Sequence, residues 1–399
     1  MRRVLVYGPA AVALAALAVV LRPAPFAFSD HTVFVEAGRL VLAGRSPYDA
    51  SAWLDIARQV GSPYIAELAR TTGVWPHPPW TAYAFVPFTF LPRDIAPWAL
   101  HFVLLAAGIA GTFILVERVR WADERIHALA LTSAVTFQPL VIGIRWGQLA
   151  PLLLLGFSLA VIGLDRRRTG WVALGALLLV LKPHVLVLLA VVLAALLLRR
   201  MPRTFAATAA VLAVCCGIPT VIDPAWLGTA ATGYAARIDA LAAYATTYAL
   251  AIQVAPEAWP VVAALLVAVA LVACVFAVRT VDATDRISWT LAAAIVGSLA
   301  LAPYLWPTDQ VLLLAVALLA LRSAERWTGS IRGAHLALTV LVITAIPWAL
   351  FFVSAPLPTQ AFGAIVPILA ALLLAQSARL TRVTADASPL APPSSSRSA

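Results

Sequence analysis

The chain has 399 residues, of which 62% are hydrophobic and only 12% charged, with a mean hydropathy of +0.93. Those proportions exclude a soluble globular domain, and apolar runs recurring along nearly the whole length read as an all-α, polytopic transmembrane helical bundle. A formal net charge of +10 would suggest nucleic acid in a soluble protein; here the arginines cluster in short loops between apolar segments, so they report topology and no nucleic-acid partner is expected.

Met1-Arg2-Arg3 followed by an apolar stretch to Leu21 has the form of a signal peptide, with Ala27-Phe28-Ser29 resembling a cleavage site. With so many later spans, an uncleaved signal anchor is the expectation. A polar island then runs from Arg22 to Pro79, read as a long extracytoplasmic loop after the first helix. It carries Asp30, about nine residues beyond that helix, and Glu36 and Gly38. A carboxylate at the outer interface can act as general base on a hydroxyl, because partial burial raises its pKa while a neighbouring histidine or arginine counters the shift. The alternative is a cap for the helix predicted over His31 to Val41. In Gly44-Arg45-Ser46-Pro47-Tyr48-Asp49, Gly44 reads as a helix stop and Pro47 prevents continuation. Trp75-Pro76-His77-Pro78-Pro79 fixes the chain as it returns to hydrocarbon, with His77 either touching a phosphate or sitting at the interface.

Crossings are expected at about 4–21, 95–117, 126–143, 148–164, 171–182, 184–198, 204–222, 259–278, 286–301, 310–322, 333–353 and 361–377, about twelve in all. Thr81 to Leu91 is too short to span at 1.5 Å per residue and reads as an interfacial or re-entrant helix. The positive-inside rule places the N-terminus, the arginine-rich loops near 118–125, 165–168, 199–203, 279–286 and 322–332, and the tail from Arg379 in the cytoplasm. Residues 1–385 form one membrane domain, and the Ser/Pro/Ala tail of 386–399 is too poor in apolar residues to fold.

Three interruptions of apolar runs fall on the opposite face. Arg145-Trp146-Gly147-Gln148 places a cation there. Lys182, the sole lysine, stands inside an apolar run where an ammonium costs about 2.5–3.5 kcal/mol at mid-bilayer unless it snorkels or faces a polar cavity. Followed by Pro183 and His184, it predicts two short helices meeting at a break that points a cation at a phosphate. Pro303-Tyr304 through Asp309-Gln310 adds an acid and aromatics. With Asp30 these breaks describe a polar cavity opening outward. In the loop from Asp223 to Trp259, Trp226, Tyr234, Arg237, Asp239, Tyr244, Tyr248 and Gln253 suit either sugar stacking or headgroup anchoring, and anchoring is expected for most. Cys215, Cys216 and Cys274 lie in apolar helices without metal-ligand spacing. The six histidines are scattered, without HExxH, P-loop or dinucleotide fingerprint, so no metal and no cofactor are expected.

Taken together, Asp30 to Asp49, His77-Pro78-Pro79, Gly147-Gln148, Lys182-Pro183 and Pro303-Tyr304 followed by Asp309 resemble glycosyltransferase family 87, polyprenyl-phosphate-sugar-dependent transferases of the GT-C membrane fold that include phosphatidylinositol mannoside mannosyltransferases. Two positions depart from the family pattern: His77 stands where Tyr is usual, and Arg145 where Asn is common. The resemblance implies inverting transfer of a hexose, with mannose the first candidate, from a polyprenyl phosphate sugar to a lipid or glycan hydroxyl at the outer face of the plasma membrane. Asp30 is then the catalytic base, and Lys182 with Arg145, His77 and His184 binds the donor phosphate. Gln148, Tyr304, Asp309 and Tyr48 line the substrate cavity. A transporter or flippase of a lipid-linked sugar is the competing class; it would also want a cationic cavity, but pseudo-symmetric halves are not visible in the sequence.

Overall fold

A computed structural model describes residues 2–71, 75–224, 227–228, 241–283, 285–354 and 359–386. Among them the secondary structure is helical throughout, with no strand. The helices are α1 (Arg2–Leu17), α2 (Asp30–Leu42), α3 (Ala50–Val60), α4 (Pro63–Thr71), α5 (Pro79–Ala84), α6 (Ala96–Arg118), α7 (Glu124–Val135), α8 (Gln138–Trp146), α9 (Ala150–Arg166), α10 (Thr169–Leu179), α11 (Val187–Arg200), α12 (Pro202–Ile222), α13 (Thr247–Val254), α14 (Trp259–Thr280), α15 (Arg286–Leu301), α16 (Leu313–Ala324), α17 (Gly329–Val340), α18 (Ile346–Ser354) and α19 (Ile365–Asp386).

Seven helical stretches among the described residues are long and apolar enough to cross a membrane: Ala96–Arg118, Glu124–Trp146, Pro202–Ile222, Trp259–Thr280, Pro307–Ala324, Gly329–Ser354 and Ala361–Arg382. Arg3–Leu17, Thr169–Leu179 and Arg286–Leu301 are apolar but shorter, below the roughly 20 residues that a straight crossing needs. Trp226, Tyr234, Arg237, Asp239 and residues 387–399 of the tail lie outside the described residues.

The loops sort into two ends of the bundle. At one end Arg118 pairs with Asp165 at 2.6 Å, Arg332 with Asp123, and Arg326 with Asp285 at 2.7 Å. Thr169 and Thr204 share a hydrogen bond of 2.8 Å there. All of these residues border the arginine-rich loops that the charge pattern groups on one side. The loops at 22–30, 145–148, 180–186 and 303–310 gather at the other end, tied together by hydrogen bonds described below.

The segment expected as a long loop is itself helical. After α2 come α3 and α4, whose apolar faces meet α2 in a separate core of Phe34, Trp53, Ile56, Ile65, Trp75 and Phe85. α2 ends as Gly44 predicts: Gly44 has φ +70°, its N–H reaches Val41 O (3.1 Å) and Arg45 N–H reaches Leu40 O (2.9 Å). That is a Schellman closure, and it requires the left-handed conformation glycine adopts without strain. Asp49 then caps α3 by accepting from Ser51 N–H at 2.8 Å. The Trp53 indole donates to Pro47 O at 2.7 Å, fixing the turn between the two helices.

Glu36, buried on α2, is held by Arg39 and Arg93, each at 3.2 Å. Burial pushes its carboxyl above the usual range and the two guanidinium groups oppose that. Arg39 also donates to Thr89 O (3.0 Å) and Leu91 O (2.9 Å), so the charged pair ties α2 to the segment that leads into α6. Gly38 allows the same approach: a Cβ there would lie 2.8 Å from the Phe85 carbonyl carbon. Gly38→Ala is therefore expected to cost about 1–3 kcal/mol, because backbone must move to admit the methyl. Thermal melting of the purified protein in detergent measures this, and an unchanged midpoint would mean that α2 and the Phe85 turn are free to separate.

Candidate active site

Asp30 is the first residue of α2, and Ser29 occupies the cap position. Ser29 makes no side-chain cap bond; its Oγ lies 3.1 Å from His31 Nδ1. Asp30 is no cap either, since its carboxylate turns to side chains from two other elements. Oδ1 accepts from the Tyr64 hydroxyl of α4 at 2.9 Å, and Oδ2 accepts from the Gln148 amide. Burial pushes the Asp30 carboxyl up to about 6; the Tyr64 hydrogen bond, the Lys182 charge and the Gln148 hydrogen bond pull it down, and the Asp309 charge pushes it up. A partly buried carboxylate with this balance is deprotonated near neutrality yet basic enough to accept a proton from a hydroxyl.

The Gly147-Gln148 pair is explained by the approach of α8 to α2. Gly147 ends α8 with φ +76°, and a Cβ on it would lie 2.5 Å from His31 N and 2.6 Å from His31 Cγ. Both the left-handed backbone and the contact exclude a side chain. The next residue then emerges against Asp30, with Gln148 N–H returning to Gly143 O at 2.8 Å. His31 itself is held neutral, its pKa lowered to about 3 by burial and by the ring of His101, whose Nδ1 is 3.3 Å from His31 Nε2; a hydrogen bond to the Ile144 backbone opposes the shift. The neighbouring histidine therefore supplies no counter-charge, contrary to the sequence expectation. Lys182 supplies the positive charge instead, and the neutral hydrogen bonds from Tyr64 and Gln148 stabilise the carboxylate alongside it.

Lys182 lies between α10 and α11, where the apolar stretch is broken by a short 3-10 turn at Pro183–Val185. Its ammonium is 2.5 Å from Asp309 Oδ1, and the two side chains are only 2% and 1% exposed. Asp309 Oδ2 accepts from Trp306 N–H at 2.9 Å. Around the pair stand Tyr304, whose ring centroid is 5.9 Å from Lys182 Nζ, His184 at 5.5 Å from that ring, and Tyr244 at 4.5 Å from it. Trp306 donates to the Tyr304 hydroxyl at 2.6 Å. Tyr244, for which the sequence offered either sugar stacking or headgroup anchoring, is buried in this cluster.

The His77 turn leads into contacts with the chain just before Lys182. Tyr48 donates its hydroxyl to His77 O at 2.7 Å, and the His77 ring packs against Phe34 and Trp75. On α5, directly after this turn, Trp80 donates to Val180 O (2.9 Å) and Thr81 to Leu181 O (3.0 Å). These are carbonyls freed where α10 ends. Arg145 points elsewhere: its guanidinium donates to Val20 O (3.2 Å) and Arg22 O (3.4 Å), closing the end of the first apolar stretch. The structure thus brings Asp30 to Gln148, and Lys182 to Asp309, Tyr304 and His184, with charge linking the two groups. Arg145, His77 and Tyr48 frame them through backbone contacts.

Tyr64 was missed from sequence. Its only signal is that Ser62-Pro63-Tyr64 repeats the triplet Ser46-Pro47-Tyr48 within the polar island. Ser62 Oγ donates to Ala27 O and accepts from Ile65 N–H, so α4 starts beside the chain that leads into Asp30.

A helical membrane bundle holding a basic carboxylate and a buried cation at helix breaks has the make-up of a membrane-embedded enzyme. The model of glycosyltransferase family 87 matches residues 75–303, more than half of the chain. The chain belongs to that family and is a membrane glycosyltransferase. His77, Arg145, Gln148, Lys182 and His184 fall inside the matched segment; Asp30, Tyr48, Tyr304 and Asp309 fall outside it. Comparison with curated proteins and with solved structures gives no match.

The hydrogen bonds from Tyr64 and Gln148 stabilise the charged form of Asp30, so removing either raises its pKa. Tyr64→Phe is expected to move the titration of the Asp30 carboxyl from about 6 to higher pH. Infrared difference spectra, with the band assigned through its loss in Asp30→Asn, measure the shift. Unchanged titration would detach Tyr64 from the site.

Proposed function

We propose that this membrane glycosyltransferase is an inverting hexosyltransferase that uses a polyprenyl phosphate sugar, with mannose the leading candidate, and transfers the hexose to a lipid or glycan hydroxyl. The observation that carries the reading is the Asp30 carboxylate, held by Tyr64 and Gln148 with its pKa pushed up to about 6. In the reaction the acceptor O–H loses its proton to Asp30 as its oxygen attacks the anomeric carbon. The bond from that carbon to the donor phosphate breaks on the opposite face, and polyprenyl phosphate leaves with the bonding electrons. Lys182, with His184 beside it, answers the charge that develops on the phosphate. An ammonium has three donors, and Asp309 engages one of them. Arg145, His77 and Tyr48 support the helix ends that carry these groups, and Tyr304 supplies an aromatic face. The leaving group brings its own lipid anchor, so no nucleotide donor has to be held.

We place this end of the bundle at the outer face of the plasma membrane, with the arginine-rich end and both termini in the cytoplasm. Counting the shorter apolar helices as crossings brings the number to about twelve. The charge pattern of the loops supports that orientation.

Asp30→Asn keeps size and shape but removes the base, so turnover is expected to fall by about 10²–10⁴-fold with membrane insertion unchanged. For the unaltered enzyme, activity requires the deprotonated carboxylate. It therefore falls as pH drops through about 6, approaching tenfold per pH unit below that value. Near-normal turnover of a correctly inserted Asp30→Asn protein would remove Asp30 from the chemistry.

Lys182→Met is expected to lower turnover or donor affinity by about tenfold or more, the size of a lost charge-assisted contact, with acceptor affinity little changed. Assays with purified protein in lipid, a panel of polyprenyl phosphate hexoses and envelope acceptors measure both. They should yield a new glycoside and free polyprenyl phosphate only when acceptor is present, and none from nucleotide sugars. Movement of intact donor between leaflets of sealed proteoliposomes without product would instead identify a flippase.

A further inference from the structure

We propose that Asp309 is a positioning residue: its carboxylate fixes the Lys182 ammonium in a buried ion pair, so that one positive and one negative charge stand at set places within electrostatic reach of Asp30. The inference rests on the reading of Asp30 as the base, and it adds a role for a residue outside the family match.

The geometry makes the pair rigid from both sides. Lys182 belongs to a stretch whose preceding carbonyls, Val180 O and Leu181 O, are held by Trp80 and Thr81 of α5. Asp309 belongs to the 3-10 turn Pro307–Leu312, where its second carboxylate oxygen accepts from Trp306 N–H and its own N–H returns to Trp306 O, each at 2.9 Å. The neighbouring Gln310 donates to Gly363 O at 2.8 Å, tying the turn to the 3-10 turn that leads into the last helix. Neither side chain is free to swing toward water, and both are almost wholly buried. A long flexible lysine would otherwise snorkel to the headgroups; the aspartate keeps it at depth.

A buried ion pair is weak evidence for stability, since desolvation offsets most of the attraction and two neutral side chains of similar size often serve the fold as well. Fixed charges near a reacting group have a different use, because they set its charge state without reorganising during the reaction. Asp30 is faced by Tyr64 from α4, by Gln148 from the turn after α8, and by the charges of Lys182 and Asp309 from two further breaks; His31, next to it on α2, is neutral. Among these the two members of the pair carry the full charges, and they act in opposite directions: Lys182 favours the carboxylate and Asp309 disfavours it.

Opposite signs give a test that a purely structural staple would fail. With full-length protein in lipid nanodiscs, the infrared carboxyl band of Asp30, assigned by its absence in Asp30→Asn, is followed through a pH titration. Asp309→Asn is expected to move the midpoint to lower pH and Lys182→Met to higher pH, each by on the order of half a pH unit or more, the effect of removing one full charge nearby. The double variant should return toward the unaltered protein. If one single variant does not fold, the other single and the double, which replaces the pair by neutral groups, still isolate the missing step. A midpoint unmoved by either substitution, or moved the same way by both, overturns the proposal. The acid limb of turnover should follow the band. A band that moves while the limb stays fixed would leave the pair in place and reject Asp30 as the base.

Discussion

A polar backbone group released from a helix inside a membrane must find a partner within the protein, and this site is assembled from the partners so recruited. The end of α10 frees Val180 O and Leu181 O, which Trp80 and Thr81 satisfy. The end of the first apolar stretch frees Val20 O and Arg22 O, taken by Arg145, while Ala24 N–H returns to Arg145 O at 2.8 Å. Before α16, Leu305 O receives Ala245 N–H at 2.9 Å, and Asp309 receives Trp306 N–H. Each broken helix is thus fastened to a different part of the chain. Wherever a break is fastened, a polar side chain is left at a fixed place at one end of an apolar bundle.

The same constraint explains why two glycines matter more than their neighbours. Gly147 lets α8 touch the backbone of His31, so Gln148 reaches Asp30 across 118 residues of sequence. Gly38 lets α2 lie on the Phe85 turn, which leads into α6, where His101 meets His31. Together these contacts hold the N-terminal end of α2 rigidly, with Asp30 in its first turn. The partly positive end of a helix favours a carboxylate, yet burial here outweighs it and leaves a group able to take a proton near neutral pH.

Charge is treated differently at the two ends. At the arginine-rich end, pairs such as Arg326–Asp285 are about half exposed on both sides, and exposed pairs of this kind contribute little to stability. At the other end Lys182 and Asp309 are sealed from solvent. The first arrangement suits a surface that orients a membrane protein, the second a site in which charges act at full strength on their neighbours.

Composition and periodicity alone determine the membrane class, most helix boundaries, the stop at Gly44 and the break at Lys182-Pro183, because each depends on local chemistry: hydropathy over a window, a left-handed glycine, a proline. The motif residues are legible as well, and the family match bears out the resemblance they suggest. What those residues touch is not legible. That Lys182 is matched by Asp309, that Arg145 turns to the end of α1, that Tyr64 rather than a histidine supports Asp30, and that Tyr244 is buried beside Tyr304 depend on contacts between segments 34 to 127 residues apart, or between an aromatic loop and a distant helix break. The helices α3 and α4 were hidden for a related reason: their apolar faces are short and acquire a purpose only against α2. Hydrophobicity is a property of a stretch of chain and survives in the sequence, whereas the pairing of buried polar groups is a property of which stretches meet, and only the tertiary structure decides that.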